Sequence, residues 1–230
     1  MMDQRAFQLP STPRRRSFIA RLLNWYKGNG RSYPWRNSRD PYSVLVAEFM
    51  LQRTGAGQTI PVYKAFKRRF PTLTKARVAS ARDLVRILRP LGRTGRALQL
   101  RSAFRSIRRD FNGRIPATEK SLMNIPGVGR YTARAVLVFA MGQHYGIFDP
   151  NVARLMERVF DIKSRLSRPH TDPEMWAAVD ALVPKRSVRE FNWALLDLAS
   201  VVCQARKPKC LRCPMASLCA FNNRARLKAA

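Results

Sequence analysis

The chain has 230 residues, of which 46% are hydrophobic and 25% are charged, values that are ordinary for a globular protein with a buried core. The charge balance is extreme, because 44 lysine and arginine residues face 14 aspartate and glutamate residues, which gives a formal net charge of +30. No apolar run reaches the ~20 residues that a membrane span needs, and so strong a positive charge is typical of proteins that bind nucleic acid.

Hydrophobic residues recur at helical spacing along most of the chain, and no alternating strand pattern persists. The predicted helical segments, in chain order, are 41–70 with a break at Gly55 and Gly57, 80–88, 95–111, 118–124, 131–141, 151–160, 173–182 and 188–202. In the third segment, Leu98 and Leu100 are predicted to face inward and Arg96 outward. The sequence therefore predicts an all-α protein of roughly ten helices with short loops.

Two glycines separate the predicted helices 118–124 and 131–141. They are Gly127 and Gly129, in the string Ile-Pro-Gly-Val-Gly that begins at Ile125. Glycines permit a tight turn with unshielded amides, and the helix that follows adds free N–H groups and the positive end of its dipole. An ordinary turn between helices is the alternative, but in so basic a chain a turn that binds DNA phosphates is favoured.

Two of the scarce acidic residues are candidates for catalysis. Asp149 stands between an apolar pair and Pro150, although it could also simply cap the helix that follows. Glu48 has apolar neighbours on both sides, so partial burial is expected to raise its pKa and suit it to donate a proton; a solvated helix face is the alternative. Two carboxylates in different environments suit hydrolysis of a glycosidic bond through an oxocarbenium-like state.

All four cysteines lie close together, at Cys203, Cys210, Cys213 and Cys219, with six, two and five residues between them. This clustering is unlike the disulfide framework of a secreted protein. Four thiolates at such short distances along the chain can close one metal site. By their chemistry alone, both zinc and a [4Fe–4S] cluster would be suitable.

Five strings together resemble the helix-hairpin-helix DNA glycosylase superfamily, in the branch of endonuclease III, the adenine glycosylases and the thymine/uracil mismatch glycosylases. Four of them begin at Arg31 (RSYPW), Ala47 (AEFMLQRT), Ile125 (IPGVGRYTA) and Phe148 (FDPNV), and the fifth is the cysteine loop. The resemblance extends over about residues 31–221, nearly the whole chain, and the combination of strings is far more specific than any one of them.

The resemblance implies a fold and a cofactor. A six-helix barrel is expected over residues 41–146, with the helix-hairpin-helix at 118–141. An iron–sulfur domain is expected from residues 17–40 and 147–222, after a basic N-terminal tail at 1–16. The 6-2-5 spacing of the cysteines is that of the endonuclease III iron–sulfur loop, which implies a [4Fe–4S] cluster as cofactor.

The resemblance also implies residue roles. Asp149 would stabilise the developing sugar cation and help direct water, and Glu48 would assist departure of the base by proton donation or hydrogen bonding. Tyr131 stands where bifunctional members carry a lysine that cleaves the strand through a Schiff base. Since tyrosine has no amine, an enzyme without lyase activity is expected. Arg53 would fill the gap left by the flipped base, and Asn151 matches a pocket residue.

Further residues are expected to bind substrate or DNA. Those within the matched strings are Arg31, Trp35, Gln52, Gly127, Gly129 and Arg130. In the cysteine loop, Arg206, Lys207 and Lys209 are expected to lie on the DNA backbone, with a solvated charge run as the alternative.

The base that leaves is thymine or uracil opposite guanine, or else adenine opposite guanine or 8-oxoguanine. Adenine glycosylases carry a further C-terminal domain, whereas this chain ends eleven residues after Cys219, and they carry Gly-Tyr-Tyr where it has Gly92-Arg93-Thr94. The run from Gln52 to Gly57 resembles the thymine mismatch glycosylases, which favours thymine or uracil. A non-catalytic DNA-binding protein is the rival class, and it would need neither Glu48 nor Asp149.

The expected partner is double-stranded DNA with a mismatched or damaged base. The expected state is a monomer in the cytoplasm, associated with the nucleoid and not with a membrane, since no apolar signal core follows the basic N-terminus.

Overall fold

The computed structural model describes residues 9–92 and 94–227. Every regular element in these residues is helical, which confirms the all-α class. The α-helices are α1 (Thr12–Asn29), α2 (Pro41–Leu51), α3 (Ala56–Arg69), α4 (Leu73–Ala76), α5 (Ala81–Leu88), α6 (Thr94–Asp110), α7 (Glu119–Met123), α8 (Arg130–Ala135), α9 (Pro150–Phe160), α10 (Pro173–Asp180), α11 (Val188–Asp197) and α12 (Ala220–Leu227). π-Helical turns at Val136–Ala140 and Leu198–Val202 extend α8 and α11. Within the described residues, no helix is long and apolar enough to cross a membrane.

The chain forms two compact units. The terminal unit contains the described residues of 1–31 and 144–230, and the central unit contains those of 32–143. Apart from the single-turn α4, the described part of the central unit has six helices, which are α2, α3 and α5 to α8. The structure therefore has the expected six-helix barrel, and a second unit formed by both chain ends.

The bounds of these units differ from the predicted domains, and residues 144–146, which were predicted in the barrel, belong to the terminal unit. The first helix begins at Thr12, so residues 12–16 are helical and not part of a tail, while residues 1–8 lie outside the described residues. Pro13 lies in the first turn of α1, where its missing N–H leaves no bond unmade. The guanidinium of Arg14 donates two hydrogen bonds to backbone carbonyls, which fixes this turn to its unit.

Residues 32–40 belong to the central unit and not to the terminal one. The physical reason is Trp35, which is 7% exposed and whose ring meets Tyr63 of α3 edge-on at 5.4 Å between centroids. A large aromatic side chain buries enough apolar surface to determine which unit a short segment joins.

The central unit is built around α2. Asp40 caps this helix, because its carboxylate accepts hydrogen bonds from the backbone of Tyr42 and Ser43, and Pro41 occupies the first helical position. Every residue from Tyr42 to Met50 is buried, and α2 contacts α3, α6 and α8. A helix buried on all sides has no polar face, so its one acidic residue, Glu48, is enclosed.

The break after α2 lies earlier than predicted. The helix ends at Leu51, and α3 begins after its N-cap Gly55, so Gly57 lies inside the first turn of α3. Arg53 adopts a left-handed conformation with φ of 56° in the link between the two helices. Glycine usually takes this conformation where a helix ends. Here Arg53 takes it, so the two glycines did not mark the end of α2.

Arg96 and Leu98 of α6 have environments opposite to those predicted. Arg96 is 5% exposed, whereas Leu98 is 52% exposed. The Arg96 guanidinium donates hydrogen bonds to the backbone carbonyls of Met50 and Gln52, which lie at the end of α2 and lack partners within that helix. The inward prediction for Leu98 and the outward one for Arg96 are therefore wrong.

The terminal unit packs α1 against α11 and α9 against α12. Phe18 and Leu22 supply the fully buried face of α1. On α11 the fully buried Asn192 accepts a hydrogen bond of 2.7 Å from the Ile147 amide and donates one of 3.0 Å to the Tyr145 carbonyl. These bonds fix the segment that leads into α9, where two predicted site residues lie.

Candidate nucleic-acid interface and iron–sulfur site

The predicted hairpin consists of α7, a turn over residues 124–129, and α8. Thr118 caps α7 as predicted, since its Oγ1 accepts a hydrogen bond of 3.2 Å from the Ser121 amide. Gly127 has a φ of 81°, a conformation that favours glycine. A Cβ at this position would lie 2.8 Å from the Phe49 ring of α2. Gly127 therefore permits both the tight turn and the close approach of α2.

Gly129 and Arg130 form the start of α8. Gly129 is the N-cap and is exposed. Arg130 Nε lies 2.8 Å from Glu119 Oε1, and Nε of the buried Arg134 donates to Glu119 Oε2 at 2.9 Å. Glu119 thus joins the two helices of the hairpin, while 40% of the Arg130 side chain stays exposed. Binding of DNA by Gly129 and Arg130 stays a prediction.

Glu48 lies in the middle of α2 and is 7% exposed. Burial raises the pKa of its carboxyl to about 7, and the positive charge of Arg36 lowers it to a smaller extent. The predicted burial and raised pKa are confirmed, and the carboxyl holds a proton in a large fraction of molecules near neutral pH.

Gln52 and Arg53 follow α2 directly. Gln52 Nε2 donates a hydrogen bond of 3.2 Å to the Gly127 carbonyl, which connects this link to the hairpin. Arg53 is exposed, with its left-handed backbone directing the chain away from the helix. This exposure suits a side chain that enters DNA, and that role stays a prediction.

Trp35 and Tyr131 are less accessible than the prediction of direct DNA or substrate contact suggests. The Trp35 ring is stacked on Tyr33 at 5.1 Å and packs against Tyr63, which gives it a role in the core of the central unit. Tyr131 is half-buried in the first turn of α8, directly after the hairpin. It supplies no amine at this position, and its role in the reaction stays a prediction.

Arg31 is held in the terminal unit by a buried acid. Its Nε donates to Asp197 Oδ1 at 2.8 Å, its backbone amide donates to Asp197 Oδ2 at 2.9 Å, and the carboxylate has no exposed surface. A buried carboxylate without a partner would strongly destabilise the fold. These contacts give Arg31 a structural role, and its predicted contact with DNA is untested.

Asp149 is the N-cap of α9 in the terminal unit. Its Oδ1 accepts a hydrogen bond of 2.7 Å from the Val152 amide, and its Oδ2 accepts one of 2.9 Å from Asn151 Nδ2. The capping role that the sequence left open is confirmed. The two bonds hold the half-buried carboxylate in one orientation. A carboxylate that acts in catalysis also needs a fixed orientation.

Asn151 is in turn held by Arg154, a residue that the sequence analysis missed. Arg154 Nη2 donates to Asn151 Oδ1 at 3.0 Å and to the Ala199 carbonyl at 2.8 Å, and its Nε donates to the Cys203 carbonyl at 2.9 Å. Hydrogen bonds therefore connect Asp149 to the backbone of the first cysteine. The sequence did contain a signal for this contact. Asn151 and Arg154 are three residues apart on one helix, a spacing that brings side chains next to each other.

The four cysteines Cys203, Cys210, Cys213 and Cys219 line one cavity next to α9. Arg158 of α9 also lines it, with Nη1 3.6 Å from Cys203 Sγ. Burial is the main reason that the pKa of the Cys213 thiol is raised to about 11, and charge on the other three cysteines acts in the same direction. The four cysteines therefore line one partly buried cavity.

This cavity fits a cluster better than a single ion. Among the described residues, no three Cys, His, Asp or Glu side chains stand close enough together to hold one metal ion. Four thiolates around one zinc ion lie about 4 Å from each other, whereas those around an iron–sulfur cluster bind different iron atoms. Four thiols that line one cavity can supply one ligand to each iron atom of a [4Fe–4S] cluster.

Loss of one cysteine should remove both the cluster and much of the stability. We expect the purified protein to absorb broadly near about 400 nm, and Cys213→Ser to lower the iron content and the Tm, because metal ligation contributes directly to folding. Iron analysis and thermal unfolding of anaerobic protein measure both. Leu211→Ala, which truncates a fully exposed side chain in the same loop, is the matched control. About one zinc and no iron per chain would contradict the cluster assignment.

The basic residues of the cysteine loop are on the surface. Arg206, Lys207 and Lys209 are all exposed between the first two cysteines. Exposure agrees with a contact to the DNA backbone and equally with a solvated charge run, so this contact stays a prediction.

Two family models match parts of the chain. The helix-hairpin-helix motif matches residues 110–139, which include α7, the glycine turn and α8. The iron-sulfur binding domain of endonuclease III matches residues 203–219, the range of the four cysteines. The second match confirms the [4Fe–4S] cluster as the cofactor of this loop.

The chain is also similar to whole proteins. It is 43% identical over 208 residues to a thymine-DNA glycosylase of Aeropyrum pernix, with 88% of this chain and 93% of the relative covered. It is 40% identical over 205 residues to a thymine/uracil-DNA glycosylase of Pyrobaculum aerophilum, covering 87% and 89%. An adenine DNA glycosylase of Mycobacterium tuberculosis is 39% identical over 196 residues, and 64% of its length is covered. The solved structure of a thermostable thymine-DNA glycosylase superimposes with a TM-score of 0.86 at 30% identity, covering 92% of this chain and 98% of that one.

Proposed function

We propose a substrate and a reaction course for this chain from the premise that it belongs to the helix-hairpin-helix DNA glycosylases of the endonuclease III branch. The chain is thus a DNA-repair enzyme that hydrolyses an N-glycosidic bond. Its target is thymine or uracil opposite guanine in duplex DNA, which agrees with the thymine and thymine/uracil glycosylases that it matches over most of its length. It acts as a monomer on DNA of the nucleoid.

The buried carboxyl of Glu48 carries this proposal. A carboxyl with a pKa near 7 can give its proton to, or hydrogen-bond, the departing base at neutral pH. Asp149, oriented by Val152 and Asn151, stabilises the positive charge that develops on the sugar. The product is an abasic site. The strand stays intact, because Tyr131 offers no amine to attack the sugar.

The mispair itself favours thymine or uracil as the base that is flipped out of the duplex. A wobble-paired thymine or uracil is less firmly held than a base in a normal pair, so less free energy is needed to flip it. Arg53 then occupies the vacated space and hydrogen-bonds the orphaned guanine. Its exposed position at the end of α2 agrees with this role.

A panel of duplexes tests the substrate. We expect single-turnover excision from T·G and U·G duplexes to be faster than from A·G and A·8-oxoguanine duplexes. The product strand should break only after alkali is added. Faster loss of adenine would replace the proposed substrate by the adenine alternative. Strand cleavage without alkali would contradict the assignment of Tyr131.

The cysteine loop gives a separate prediction about DNA affinity. Replacing Arg206, Lys207 and Lys209 by glutamine should make the dependence of log affinity on log salt concentration shallower by about 0.9 for each phosphate that the protein no longer neutralises. Affinity for matched and mismatched duplexes should fall equally, because phosphate contacts carry no sequence information. A control with Lys185→Gln and Arg186→Gln changes two exposed cations elsewhere in the same unit. An unchanged slope in the loop variant would mean that the loop is off the DNA.

A further inference from the structure

The link between α2 and α3 is held by a buried arginine whose role is unassigned. Arg96, near the start of α6, is 5% exposed. Its Nη1 donates to the Met50 carbonyl at 3.0 Å, and its Nη2 donates to Thr54 Oγ1 at 2.9 Å and to the Gln52 carbonyl. One guanidinium therefore binds the last turn of α2 and the residues on either side of Arg53.

These acceptors explain why an arginine is buried here. The last carbonyls of a helix have no partners within it, and the helix dipole places partial negative charge at the same end. A guanidinium has five N–H donors in a fixed plane, so it can satisfy several such carbonyls at once. Burial of this charge is thereby compensated by hydrogen bonds to oxygen atoms that would otherwise be unsatisfied.

The backbone of this link needs such support. Arg53 has a φ of 56°, a left-handed conformation that costs a residue with a side chain free energy and persists only where its surroundings impose it. Gln52 and Thr54 on its two sides are both bound by Arg96, and Gln52 also bonds the Gly127 carbonyl of the hairpin. The Arg53 side chain is the exposed one among these three residues.

We propose that Arg96 is a positioning residue for base flipping, which sets the link at residues 52–54 in the conformation that aims Arg53 into the duplex. This inference rests on the proposed function, because it assigns to Arg96 the pre-organisation of a side chain that acts on DNA. Without Arg96 the link loses two hydrogen bonds and the last turn of α2 loses one, and Arg53 must be ordered again at each encounter.

A double-mutant cycle on a U·G duplex separates this role from a general effect on the fold. Arg96→Met should lower the single-turnover excision rate about tenfold or more, and it should lower the fluorescence rise of 2-aminopurine placed next to the flipped base. Binding of an abasic-product duplex should change much less. Arg96→Lys should recover part of the rate. In an Arg53→Ala background, Arg96→Met should have little further effect on the rate, because both changes remove the insertion of Arg53 into the duplex.

The possible outcomes test the inference and the proposed function separately. If Arg96→Met excises uracil at the wild-type rate, or if its effect and that of Arg53→Ala simply multiply, the inference is overturned. Arg105→Met, an exposed position on the same helix, is the matched control and should behave as wild type. If wild-type protein excises neither thymine nor uracil, the proposed function fails. In that case the 2-aminopurine signal decides the inference, because equal base flipping by wild type and Arg96→Met would overturn it.

Discussion

Replacement of Asp149 by asparagine should abolish most base excision while duplex binding survives. The amide oxygen of asparagine can accept the hydrogen bond from the Val152 amide, so α9 keeps its cap, whereas the amide nitrogen cannot accept the bond from Asn151 Nδ2. The negative charge that stabilises the sugar cation is lost, and we expect the single-turnover rate on a U·G duplex to fall about a hundredfold or more. The Kd of the duplex should be unchanged or lower, since the shape of the site is preserved.

Asp172 provides the matched control for this variant. It caps α10 in the same unit, where its carboxylate accepts a hydrogen bond of 2.9 Å from the Glu174 amide. Asp172→Asn therefore makes the same chemical change at another helix N-terminus, and it should excise uracil at the wild-type rate. Near-wild-type excision by Asp149→Asn would show that another group stabilises the cation.

Glu48→Gln should have the second largest effect, and its pH dependence makes it diagnostic. Proton donation by Glu48 requires the protonated form, so wild-type excision should decline as the pH rises through about 7. Glutamine can donate a hydrogen bond but cannot transfer a proton. We expect the rate at neutral pH to fall about a hundredfold, and the alkaline decline to disappear. If the variant keeps the same decline, the titrating group is not Glu48.

The same carboxyl should make stability depend on pH. Its pKa is about 7 in the folded chain against an ordinary value of 4.5. Between these values the unfolded chain has released a proton that the folded chain retains, so stability falls as the pH rises through this window. Across the whole window, from below pH 4.5 to above about pH 7, the free energy of unfolding falls by about 3 kcal/mol. Glu48→Gln should remove this fall, so its Tm should drop less than that of wild type between about pH 5 and pH 8.

A control and a contradicting result are available for the stability prediction as well. Glu174 is exposed on α10, and Glu174→Gln should keep the wild-type change of Tm with pH. An equal change of Tm in Glu48→Gln and wild type would mean that the Glu48 carboxyl ionises in the folded chain near its ordinary pKa.

The sequence by itself determined the class of fold, the hairpin and the cofactor. The apolar spacing predicted helices because a helix repeats every 3.6 residues, whatever it packs against. The Thr118 cap and the glycine turn are local signals, and they agree with α7 and α8 as found. The closeness of the cysteines predicted one metal site, because ligands of one site must lie within reach along a short chain segment. The resemblance of their 6-2-5 spacing to the endonuclease III loop then identified the iron–sulfur cluster.

The tertiary structure alone decided what surrounds each charged side chain. Arg96 was expected on the surface, but the carbonyls at the end of α2 require a donor there, and α2 lies far from Arg96 in sequence. Arg31 and Arg154 likewise find partners at Asp197 and Cys203, more than forty residues away. The pattern of residues in the sequence gives the period of a helix. It does not show which residues from distant parts of the chain pack against that helix. The burial of Glu48 could be predicted from its apolar neighbours in sequence, but the hydrogen-bond partners of these arginines depend on distant residues and appear only in the folded molecule.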